Sequence, residues 1–99
     1  MSEVYVNIQK WGKQTLLAVC DIELAGKTLR EGNIVFEVRE EFYKGTKVSI
    51  DEAIGLMEHC SSVNMVGQCI VGKAIEKGFV HPDAVLEISG VPHAQIVKL

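Results

Sequence analysis

Ser62-Val63-Asn64-Met65-Val66-Gly67-Gln68-Cys69-Ile70-Val71-Gly72-Lys73-Ala74-Ile75-Glu76-Lys77-Gly78 is the stretch on which the fold turns. Val63, Val66, Ile70, Val71, Ala74 and Ile75 recur at spacings of three and four, which gathers side chains on one face of a helix. Met65 and Cys69 fall on the opposite side. The spacing predicts one long helix over 62–78 packed between neighbours, with the rest of the chain as its cover.

The same letters contain Gly67-Gln68-Cys69-Ile70-Val71-Gly72-Lys73, the pattern of a phosphate-binding loop. Such a loop needs a preceding strand, an irregular turn whose amides cradle phosphate, the lysine, and a Ser or Thr for Mg²⁺. A helix beginning at Ser62 leaves no strand, residues 68–71 continue the apolar stripe, and position 74 is Ala. The two glycines therefore read as points of close helix packing, and no nucleotide site is assigned.

Working outward, Ser49 and Glu52 have capping-box spacing, so a second helix starts there with Ile50, Ala53, Ile54 and Met57 inside and an end near Cys60. Ser61 or Ser62 would cap the long helix and join the two as a pair. On the amino-terminal side Val4, Val6 and Ile8 alternate as in a half-buried strand, Lys10-Trp11-Gly12-Lys13 turns, and residues 15–20 return. Asp21 reads as the N-cap of a single turn closed by Gly26. Residues 34–38 form a third strand, and Arg39 to Lys47 a charged connection. After the helices come a turn at His81-Pro82-Asp83, a strand over 85–88, a turn at Gly90-Val91-Pro92-His93 and a last strand over 95–99. The order β-β-β-α-α-β-β describes one α+β domain over residues 1–99: a mostly antiparallel five-stranded sheet with the helix pair on one face.

A formal net charge of −3 argues against a strongly basic nucleic-acid binder. The charge is uneven: residues 1–48 hold seven basic and seven acidic side chains, residues 49–99 three and six, so an anionic partner would meet the first half. Cys20, Cys60 and Cys69 have no CxxC spacing and read as reduced core thiols of a cytoplasmic protein. No secretory signal, membrane-spanning run or cofactor motif is visible.

Two constellations carry chemistry. Lys10, Trp11 and Lys13 at a hairpin tip, with Arg30, could stack a base while contacting phosphate. Against this, a domain with one tryptophan usually folds it onto the sheet. His81, Asp83 and His93 form the other candidate, a two-histidine, one-carboxylate metal site, although their spacing matches no established ligand pattern. No nucleophile with an adjacent base is apparent, so no catalytic residue is assigned.

Several blocks resemble an archaeal family known as domain of unknown function 424: Val4-Tyr5-Val6-Asn7-Ile8, Leu17-Ala18-Val19-Cys20-Asp21, Arg30-Glu31-Gly32, Glu41-Phe42-Tyr43 with Gly45, and Gly90-Val91-Pro92-His93-Ala94-Gln95-Ile96-Val97. The resemblance spans the chain and implies an archaeal, cytosolic origin; it carries no activity. The residues themselves point to a non-catalytic binding module for RNA or a ribonucleoprotein. The alternatives are a small-ligand or metal-binding protein using the His81 and His93 turns, and a subunit that binds another protein.

Overall fold

The alternation of Val4, Val6 and Ile8 produces β1 (Glu3–Trp11), which turns at Gly12 and returns as β2 (Gln14–Asp21). The antiparallel register is unbroken, from Val4 opposite Asp21 to Trp11 opposite Gln14. The computed structural model describes residues 2–99. Beyond a 3₁₀ turn (Ile22–Leu24) lie β3 (Thr28–Glu31), β4 (Ile34–Glu37) and the short helix α1 (Glu40–Tyr43). Then come β5 (Thr46–Ser49) and α2 (Ile50–Met57), where the Ser49 hydroxyl accepts from Glu52 N–H at 3.1 Å as the capping-box spacing predicts.

The long helix expected over 62–78 is two elements. Ser62–Val66 is a strand, β6, and only Gln68–Glu76 is helical, α3, with Gly67 between them at φ 126°. β6 is covered on both sides: Val63 and Met65 face the helices, while Val66 faces the other way. A strand buried on both faces loses its period-two signature and reads as a plain apolar run. In such a run the Val63–Val66–Ile70 spacing mimics a helical stripe. Ser61 caps no helix; its hydroxyl instead accepts from Thr15 N–H.

The resulting sheet has six strands in the order β5-β1-β2-β6-β8-β7, with β7 at Leu86–Ile88 and β8 at Val91–Val97. It is mixed, because β2 and β6 run parallel while its other neighbours are antiparallel. This replaces the five-stranded expectation. The strand foreseen at 34–38 is not in the sheet; β4 pairs only with β3 in a separate ribbon. β8 begins at Val91, so the turn before it is shorter than expected.

The helix pair does share one face. Ala53, Ile54 and Met57 of α2 and Ile70, Val71 and Ala74 of α3 pack on Val4, Val6, Leu17, Val19, Val63, Met65 and Ala94. Full burial of each large side chain contributes roughly 1.5–3 kcal/mol, which makes this layer the main source of stability. The second face carries a smaller core, in which Leu24, Val38, Tyr43, Phe36 and Phe42 cover Ala18, Cys20 and Val66. Residues 22–45 thus form a flap over one end of that face.

Candidate functional site

The flap covers the Cys20–Val66–His93 end of the second face. Strand alternation places Trp11, Gln9, Leu16, Ser62 and Val97 on the same face at the other end. Trp11 does not fold back. It is 60% exposed at the hairpin tip, which corrects the expectation that a lone tryptophan would be buried. The β1–β2 hairpin outruns β6, whose first partner in β2 is Leu16, so the tip has no third strand to lie against. Lys10 and Lys13 flank it and are exposed.

Arg30 is elsewhere. It lies in β3, next to Glu31, whose carboxylate accepts from Ser89 N–H in the β7–β8 turn at the opposite end of the sheet. The arginine that does border the open face is Arg39, which lines a shallow cleft with Gln9, Glu41 and Phe42. Its pairing with Glu41, at 3.9 Å between well-exposed groups, is loose. Arg39 was visible in the sequence as part of the basic first half. Its place beside Gln9 was not, because it depends on how the flap returns.

A second cleft, of about 230 Å³, opens between flap and sheet and is lined by Phe36, Glu37, Arg39, Phe42, Tyr43, Asn64, His93 and Gln95. His93 packs on Phe36 with ring centroids 4.8 Å apart, and burial holds its imidazole below the usual histidine range. Asn7 ties the flap down by donating to the carbonyls of Glu41 and Phe42 at 3.2 and 3.1 Å. Sequence reading missed Asn64, Gln95 and Phe42 here; the signal available was the polar position inside an otherwise apolar run at Asn64.

The histidine candidates do not assemble. His81 Nδ1 accepts from Asp83 N–H at 3.0 Å within the turn that starts at Pro82, while His93 sits under the flap. Among the described residues no three His, Cys, Asp or Glu side chains converge as metal ligands.

The phosphate-loop letters do follow a strand, so the absence of one is no longer the reason to set them aside. The helix begins immediately after Gly67 and leaves no loop. The N-terminal amides of α3 are also engaged: Asp21 accepts from Cys69 N–H at 2.9 Å and Ile70 N–H at 3.1 Å. Asp21 precedes the 3₁₀ turn, as expected for a cap, yet its side chain makes no bond there and caps α3 instead. Burial pushes its carboxyl up, and the two amides offset this only in part. Gly67 is required by this contact, since a Cβ would collide with the Asp21 carboxyl carbon at a backbone angle that already disfavours other residues.

Of the thiols, Cys20 and Cys60 are buried; burial lifts Cys20 to about 12. Cys69 is exposed, contrary to the reading of all three as core, because it starts α3 on its outer side. The Asp21 carboxylate raises its pKa, which disfavours the reactive thiolate. No described helix is long and apolar enough to cross a membrane.

What the geometry defines is an α+β domain with one face closed by helices and the other half open, bordered by an exposed tryptophan and a flap. The chain belongs to the family described as Protein of unknown function (DUF424), whose model matches residues 9–99. It is similar to a crystal structure of an uncharacterized conserved protein from Methanopyrus kandleri, with 26% identity and a TM-score of 0.81 over 96% of this chain and 90% of that one. No curated protein matches.

Proposed function

We propose that this protein is a non-catalytic binding module that takes single-stranded RNA, free or within a ribonucleoprotein, across the open half of its second sheet face. The observation that carries this is the exposure of Trp11 at the hairpin tip between Lys10 and Lys13. Leaving a large aromatic in water forfeits burial energy, and a stacking partner for a base recovers it. Gln9, Arg39, Glu41 and Phe42 line a cleft between β1 and the flap, in which Gln9, Arg39 and Phe42 supply polar, cationic and aromatic contacts. The net charge of −3 implies a modest affinity dominated by stacking rather than long-range attraction.

The test is fluorescence anisotropy with a labelled single-stranded RNA, using the intact chain, Trp11→Ala and Lys13→Glu. The intact protein should bind more weakly as salt rises, Trp11→Ala should lose about tenfold or more in affinity, and Lys13→Glu should flatten the salt dependence. Equal binding by all three proteins, or none by the intact one, sinks the reading.

A further inference from the structure

We infer that the cleft beneath the flap is a pocket for one nucleobase carrying an exocyclic amino group, adenine foremost, so that it selects a base from the strand that Trp11 anchors. The inference extends the RNA reading and names the selecting residues. Asn64 and Gln95 are directly opposed across the antiparallel β6–β8 pair, which sets their side chains side by side on the second face. Asn64 is half-buried and Gln95 exposed, and both line the cleft.

A carboxamide presents an NH₂ donor group and a carbonyl acceptor in one plane, the complement of the amino group and ring nitrogen on the edge of adenine. Glu37 adds an acceptor that suits an amino group and repels a carbonyl edge. Phe36 and Phe42 supply aromatic surface, and burial lowers the pKa of His93, which favours its neutral imidazole. At about 230 Å³ the cleft is below the ~300–1,000 Å³ of sites for drug-sized ligands, a size for one planar ring system and not for a longer segment. Arg39 lines both this cleft and the neighbouring one with Gln9, where it can meet the phosphate of a strand passing toward the tip.

The experiment is a titration of ¹⁵N-labelled protein with adenosine, inosine and uridine monophosphates and with ribose 5-phosphate, following the side-chain amides of Asn64 and Gln95. Adenosine monophosphate should shift both saturably and bind at least about fivefold tighter than inosine monophosphate, since one good hydrogen bond is worth up to roughly tenfold. Ribose 5-phosphate should leave both amides unmoved. Gln95→Ala, at an exposed position whose folding the same spectra verify, should weaken adenosine monophosphate about tenfold. Equal shifts by all four probes, or none by adenosine monophosphate, overturns the pocket. The outcomes separate from those for RNA. If RNA quenches Trp11 while adenosine monophosphate never reaches the cleft, the pocket fails and the RNA reading stands. If adenosine monophosphate fills the cleft while RNA does not bind, the pocket stands alone.

Discussion

Asp21 and Gly67 show how much can rest on one contact. The carboxylate occupies the N-terminal amides of α3, and the glycine exists to let it approach. Asp21→Ala leaves two donors without partners and is expected to lower stability by about 2–3 kcal/mol in chemical denaturation. Gly67→Ala should also destabilise, but less when Asp21→Ala is already present, because the collision is gone and only the backbone strain remains. Additive losses in the double-mutant cycle would contradict this coupling. His93 makes the pH prediction. Its folded pKa lies below the unfolded value of 6.5, so its contribution is fully present above 6.5 and is lost as pH falls through the folded pKa. His93→Gln should flatten the stability profile below pH 6.5; an unchanged slope would show that the burial of this imidazole is immaterial. Asp21 has the opposite sign: its raised pKa favours the fold below 3.8 and withdraws that support as pH rises through the folded value.

The elements were unevenly legible. The β1–β2 hairpin and the Ser49 cap could be read because their signals are local: strict alternation in one, a Ser–Glu spacing in the other. β6 could not, because its partners lie 46 residues back in β2 and 27–35 residues ahead in β8, as in Val63 against Leu17 and Ile96. Once β6 is a strand, Gly67 becomes a junction and not a packing notch, and the family of the chain could be recognised while its central element was misread. The site was legible to the same degree. Of the proposed contacts, Lys10, Trp11 and Lys13 stand within four residues of one another and could be picked out; Asn64, Gln95 and the place of Arg39 could not, because only the flap and the β6–β8 register bring them together. The hairpin tip itself is expected to be energetically separate from the fold. Trp11→Ala should change unfolding free energy by no more than about 0.5 kcal/mol, as for other exposed positions. A loss of several kcal/mol would mean that the ring is a structural support, and its exposure would need another explanation.

At the scale of the molecule the two sheet faces are covered differently. The helix face holds the larger core, and the second face is shared between a flap and an open half bordered by Trp11. A closed, stabilising layer on one side leaves the other free to carry polar and aromatic side chains that contribute little to folding. This division is what the RNA reading rests on, and the lone tryptophan reports on it directly. The decisive measurement is the fluorescence of Trp11 during titration with single-stranded RNA at several salt concentrations. Saturable quenching is expected, with the logarithm of affinity falling against the logarithm of salt at a slope of about −2, as for three phosphate contacts from Lys10, Lys13 and Arg39 on a single strand. Emission that stays unchanged at every RNA and salt concentration would contradict the account.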